Sequence, residues 1–154
     1  MFRIKAYVPG EYCLHCLGCC RYNCNPSIWA AGLLGKEKIK LNLKKIRLIA
    51  YRDYYICRFL HPESSRCKIY TQRPLECRLY PFLLHRLQGK VYLSVDLNCP
   101  YASGREKNRQ FKDYVRYLLG YLKTPRVLTV LKDNRELFAD YSAGNILNLA
   151  EIGI

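Results

Sequence analysis

The stretch CLHCLGCCRYNC, residues 13–24, places five thiols within twelve residues, a density that packing alone does not require. An iron–sulfur loop of the bacterial four-cysteine type reads Cys, two residues, Cys, two residues, Cys, three residues, Cys. Here the rhythm holds through Cys13, Cys16 and Cys19, then sets Cys20 next door and Cys24 one residue late. The loop approaches an iron–sulfur motif without being one. If it binds a metal, the missing ligands come from elsewhere in the chain.

Candidates for them stand further along. Cys57, Cys67, Cys77 and Cys99 follow at intervals of about ten to twenty residues and complete a set of nine cysteines in 154 residues. Two cysteines separated by two residues can wrap one cation, because the turn between them directs both sulfurs inward and offers backbone N–H groups to them. Cys13 with Cys16, and Cys16 with Cys19, have this spacing. Neighbouring residues face apart in extended chain, so Cys19 and Cys20 are not expected to sit identically on one ion. Soft thiolates select zinc, copper(I) or iron–sulfur clusters over magnesium or calcium. Eight cysteines would fill two closed four-ligand zinc sites, whereas one four-iron cluster would use four.

Length and composition frame the chemistry. A chain of 154 residues is one domain's worth and can bury a core without cross-links. The N-terminus MFRIKAYVPGEYC carries no apolar stretch before a small-residue cleavage site, and SIWAAGLLG is too short to span a bilayer. The expectation is a cytoplasmic, soluble protein, in which free thiols point to metal ligation or thiol chemistry rather than to a disulfide scaffold. The formal charge is +14. Residues 36–50 hold six Lys or Arg against one Glu, and residues 101–135 hold nine against three acids. Eight thiolates around two zinc ions would lower +14 only to about +10. Such a basic balance suggests an acidic protein face or RNA as partner, although a charge run is more often a solvated helix face.

The chain reads as α+β: a small, loop-rich cysteine module with short hairpins over residues 1–102, and a C-terminal helical extension, residues 103–154, packed on it as one compact unit. One hairpin is expected around HPESSR between YYICRFL and CKIY, and another at Gln88-Gly89 inside FLLHRLQGKVYLSVDL. Asn42 is expected to cap a short helix through Ala50, with Leu43, Ile46 and Ile49 on one face. From Ser103, a candidate N-cap, Phe111, Tyr114, Val115, Leu118, Leu119 and Leu122 recur at helical steps. Pro125 ends that helix, and two shorter helical pieces are expected near 126–142 and 145–152.

A second block, CKIYTQRPLECRLYPF, residues 67–82, flanks Cys77 with Arg73 and Arg78. Guanidinium groups beside a thiol favour the thiolate and offset the charge of a thiolate-bound metal, so both arginines are candidates for supporting the site from behind its ligands. The loop, Cys57, this block and Cys99 together resemble the CxxCxxCC cysteine-cluster family, described as a zinc- or iron-chelating domain. The resemblance covers about residues 13–100 and implies Cys13, Cys16, Cys19, Cys20, Cys57, Cys67, Cys77 and Cys99 as metal ligands, with Cys24 outside the set. A relative of that family, the flagellin lysine methylase, links a cluster of this type to an iron–sulfur centre and methyl transfer. No S-adenosylmethionine loop is written here, since GLLGK and SAGN are each too weak.

The leading expectation is a metal-binding protein that holds zinc or an iron–sulfur cluster through thiolates, with redox or group-transfer activity open. The rival is a zinc-stabilised basic module that binds nucleic acid, with Tyr114, Tyr117 and Tyr121 as stacking candidates, although tyrosines at helical spacing are more often core. A hydrolase is disfavoured. No nucleophile elbow appears, and His15, His61 and His85 read as surface histidines or spare ligands.

Overall fold

In the computed structural model, which describes residues 4–16 and 18–154, the thiol loop leaves a short helix, α1 (Gly10–His15), and enters the two-residue strand β1 (Arg21–Tyr22). Next comes helix α2 (Gly35–Leu41), followed by strands β2 (Leu48–Tyr51) and β3 (Tyr54–Cys57). β3 is the centre of an antiparallel sheet ordered β1-β3-β2, with Arg21 opposite Ile56 and Ile49 opposite Ile56 on the other edge.

Asn42 ends a helix instead of starting one. It caps the C-terminus of α2 at φ 51°, donating its N–H toward Ile39 and Lys38 carbonyls, a left-handed position that asparagine tolerates. The expected helix through Ala50 does not form, because Leu48–Tyr51 pairs with the aromatic, β-branched strand that follows. Of its supposed apolar face, Ile46 is buried while Ile49 stays exposed.

The hairpin expected around HPESSR is present but smaller than its apolar flanks suggest. It joins β4 (Leu60–His61) to β5 (Arg66–Cys67), while Tyr54–Cys57 belongs to the other sheet. A 3-10 turn at Tyr70–Gln72 then leads into α3 (Leu75–Leu79). Two compact units result, one up to Arg78 and one from Leu79 to Ile154.

The second unit is built on the hairpin of β6 (Phe82–Leu87) and β7 (Lys90–Asp96). Gln88 at φ 50° and Gly89 at φ 77° form the turn, the paired left-handed geometry that matches the twist of two-residue hairpins. α4 (Arg109–Leu122) lays Phe111 and Tyr114 on Phe82, with ring centroids 5.6 and 5.2 Å apart, and buries Leu118 and Leu122 beside them. Its start lies after Asn108 rather than after Ser103, because Ala102 and Ser103 donate to the Cys99 carbonyl and Gly104 turns the chain at φ 77°. α5 (Pro125–Lys132) begins with proline in its first turn, where the missing N–H costs nothing.

The expected helical piece near 145–152 is a strand. β8 (Ile146–Glu151) pairs antiparallel with β7, and the Ile152 N–H continues the ladder to Val91 at 2.9 Å. Short apolar runs fit either period, and the open edge of β7 decided this one. The described residues thus give five helices and small antiparallel sheets, an α+β fold with helices in its C-terminal half. No helix among them is long and apolar enough to cross a membrane.

His85 is not a surface residue. Only 1% exposed, it sets Nδ1 3.1 Å from Asn148 Oδ1 and Nε2 3.2 Å from Asp140 Oδ1, which ties β8 and the segment before it to β6. Hydrogen bonds from the Ser142 hydroxyl and N–H, then from His85, hold the Asp140 carboxyl down at about 2 from an ordinary 3.8. The sign follows directly. A carboxyl held low in the folded state stabilises the fold above its unfolded value, and that contribution fades as pH falls from about 4 toward 2. Asp140→Asn should therefore flatten the loss of thermal stability across that window, measured as Tm against pH. Parallel Tm curves for parent and variant would show that Asp140 contributes nothing.

Candidate metal centre

Three features gather the loop and the later block within the first unit. The Cys57 N–H donates to the Cys20 carbonyl at 3.0 Å. Arg21, directly after the vicinal pair, donates from Nη2 to the Pro62 carbonyl and to Ser65 Oγ, each at 3.1 Å, and so holds the turn that delivers Cys67. At the other end of the loop, Gly10 opens α1 against Tyr70. A Cβ on Gly10 would stand 2.9 Å from the Tyr70 hydroxyl, which places the helix carrying Cys13 beside the turn that precedes Cys77.

The thiols take distinct positions. Cys13 lies in α1 and Cys16 caps it, with the Cys16 N–H on the Cys13 carbonyl at 3.3 Å. Cys19 and Cys20 occupy a turn, and their side chains share a hydrogen bond instead of facing apart. The alternation of extended chain does not apply there. Cys57 closes β3, and the N–H groups of Phe59 and Leu60 donate to its sulfur, the arrangement that stabilises a ligand thiolate. Cys67 sits opposite Leu60, and Cys77 lies within α3. Cys24 is exposed. Cys99 is buried in the second unit.

Electrostatics shows which thiols feel one another. Burial first, and then the neighbouring thiols of Cys57, Cys19 and Cys67, push the Cys77 thiol far above its ordinary range. Burial likewise pushes Cys57 up, with Cys67 and Cys19 adding to it. Cys19, an exposed residue, is raised first by its bond to Cys20, while the Arg73 guanidinium pulls it down. Tyr22 belongs to the same neighbourhood. Its phenol is driven up by burial and then by Cys20, Cys57, Cys77 and Cys19, and it donates to the Cys19 carbonyl at 3.1 Å.

The thiols of Cys19, Cys20, Cys57, Cys67 and Cys77 therefore share one electrostatic neighbourhood. They do not close into a ligand shell: among the described residues no group of three or more His, Cys, Asp or Glu side chains is assembled to hold a metal ion.

The two arginines divide their roles. Arg73 lies 3.8 Å over the Tyr70 ring, donates to the Tyr70 carbonyl at 3.1 Å, and acts on Cys19. Arg78 donates to the carbonyls of Arg73 at 2.7 Å and Thr71 at 3.4 Å, and its charge acts on Glu37. Arg78 thus fixes the turn on which Arg73 is mounted.

Sequence reading missed Arg21, Tyr22 and a pair of glutamates. Glu37 accepts from the N–H groups of Leu34 at 2.9 Å and Leu75 at 2.8 Å, which joins the start of α2 to the start of α3. Glu76 accepts from the Gly32 N–H at 2.6 Å, and burial pushes its carboxyl up to about 7. Only Arg21 and Tyr22 carried a local signal, their position directly after the vicinal cysteines.

An uncharacterized protein of Methanocaldococcus jannaschii is 28% identical over 127 residues, which cover 72% of this chain and 69% of that protein. No solved structure matches the chain. The profile of one family matches residues 12–112, a span that holds all nine cysteines. The chain belongs to that family, CxxCxxCC, whose description reads "Putative zinc- or iron-chelating domain".

Proposed function

We propose that the first unit binds zinc or an iron–sulfur cluster through thiolates drawn from Cys13, Cys16, Cys19, Cys20, Cys57, Cys67 and Cys77. The observation that carries the reading is the convergence of Cys19, Cys57 and Cys67 on the buried Cys77 thiol, with Cys19 and Cys67 acting on Cys57 as well. Burial first, and then the neighbouring thiols, make Cys77 and Cys57 harder to ionise. A cation among them reverses the balance, because a bound metal is the largest local charge and deprotonates its thiols outright. The donors are sulfurs with no carboxylate among them, which fits zinc or iron and not calcium or magnesium.

The fold supports the same reading. The strands of this unit run only two to four residues, and small units with so little ladder commonly rely on a metal staple. Binding requires the thiols to draw closer than they stand, by side-chain rotation within the loop and α3. An iron–sulfur occupant would add one-electron chemistry, whereas zinc would serve the fold.

Anaerobic purification followed by metal and acid-labile sulfide analysis tests this. Stoichiometric iron and sulfide with a broad band near about 400 nm identify a cluster, and a colourless zinc protein identifies the staple. A metal-free protein with all thiols open to titration would overturn the proposal. The family pattern adds Cys99, and the metal content of Cys99→Ser decides its place.

Arg73 gives a graded test. Arg73→Gln removes the charge that pulls Cys19 down, and changes behind the ligands commonly cost about ten- to a hundredfold in metal affinity. Competition with a chelator at fixed pH should show faster release from Arg73→Gln than from the parent, since thiolate ligation is itself pH-dependent. Superimposable release curves would return Arg73 to a purely structural role on Tyr70.

A further inference from the structure

The basic run of residues 36–47 contains one acid, Glu37, and the fold turns it inward. Both Glu37 oxygens are occupied by the N–H groups of Leu34 and Leu75. Lys36, Lys40, Lys44, Lys45 and Arg47 remain exposed. Among the described residues none of these five has an ion-pair partner. Arg58, also exposed, joins them, because its N–H donates to the Arg47 carbonyl at 3.1 Å. In the β2–β3 hairpin that follows the run, the acid is Asp53, exposed at its tip.

The other basic run is different. On α4, Asp113 lies between Arg109 and Arg116 and pairs with both. Its stacking candidate Tyr114 is committed to Phe82 at 5.2 Å. The charge that looks greater by count in the sequence is thus partly neutralised, and the shorter run is not.

We propose that the face formed by Lys36, Lys40, Lys44, Lys45 and Arg47 binds the phosphate backbone of single-stranded nucleic acid. Five cations without an ion-pair partner among the described residues suit a partner that presents negative charge at every step, which a phosphodiester chain does and a mixed protein surface does not. β2, the edge strand that follows, ends at Tyr51, whose half-exposed ring packs edge-on to Tyr54 at 5.7 Å and carries the Arg52 guanidinium at 5.4 Å. Bases freed from a duplex can stack on such an arginine–tyrosine surface, and paired bases cannot. An anionic membrane is the competing occupant. For it, Ile39 stands 82% exposed between Lys36 and Lys40, but one aliphatic side chain adds little insertion energy.

The test uses the metal-loaded protein as purified and fluorescence anisotropy with a labelled single strand of about 12 nucleotides, a length within typical single-strand site sizes. Five neutralised phosphates give a slope of log affinity against log salt near about −3.5 on single strands. The triple variant Lys44→Gln, Lys45→Gln, Arg47→Gln should make that slope shallower by about 2 and weaken binding at low salt. A matched triple in the second unit, Lys112→Gln, Lys123→Gln, Arg126→Gln, should leave the slope unchanged. Equal losses in the two triples would mean diffuse attraction by net charge and would overturn the assignment. So would absence of binding, a preference for duplex, or a preference for vesicles with about one-third anionic lipid over the strand. Metal content is measured on every variant, so that failure of this face and failure of the metal reading are separate results.

Discussion

Cys77→Ser is expected to purify with almost none of the metal that the parent carries. Cys77 lies at the centre of the electrostatic neighbourhood, under the influence of Cys57, Cys19 and Cys67 together. A serine hydroxyl cannot replace a thiolate on a soft metal ion. Because a thiolate site is not preformed in the unfolded chain, its binding energy is folding energy, about 10–16 kcal/mol for small zinc modules near neutral pH. The loss should therefore appear twice, as missing metal and as an early melting step confined to the first unit. Elemental analysis reads the first effect. Trp29, the single tryptophan, lies in that unit and reads the second by fluorescence. Cys24→Ser is the control, being exposed and outside the ligand set inferred from the family pattern. A parent-like metal content in Cys77→Ser would sink the proposed centre, and a stoichiometric loss in Cys24→Ser would show that the ligand set is drawn wrongly.

What the sequence made legible were features whose cause is local. The turn at Gln88-Gly89 was readable because only a few residue pairs tolerate two left-handed positions, and α4 because its apolar side chains repeat over four turns. The boundary at Ser103 was not, since Gly104 reverses the chain before any helix can begin. Asn42 misled for a related reason: the same side chain serves at either end of a helix, and the strand partner Tyr54–Cys57 that settled the question lies beyond it. Ile146–Glu151 became a strand through the edge of β7, a partner about fifty residues away. In the candidate centre the thiols announced themselves by spacing. The groups that arrange them did not, because Arg21, Glu37 and Glu76 reach the backbone of Pro62, Leu75 and Gly32, each about forty residues away in sequence, and leave no periodic mark.

Glu37→Ala should be among the most destabilising single changes outside the cysteines. Its carboxylate satisfies the N–H groups of Leu34 and Leu75 at once, and both of those residues are buried. Alanine leaves two donors without an acceptor, at about 1–3 kcal/mol each when water cannot reach them. Because Glu37 itself is only half-buried, water should recover part of that, leaving an expected loss of about 2–4 kcal/mol in the first unit. Gln keeps one carbonyl oxygen and turns the other position into a donor, so Glu37→Gln should lose roughly half as much. Leu75 opens α3, which carries Cys77, so chelator-driven release should quicken in both variants, in the same order. Urea unfolding of the metal-loaded protein, followed by Trp29 fluorescence, measures the first effect. If both variants unfold at the parent's midpoint, Glu37 is a solvated side chain and α2 is not fastened to α3 through it.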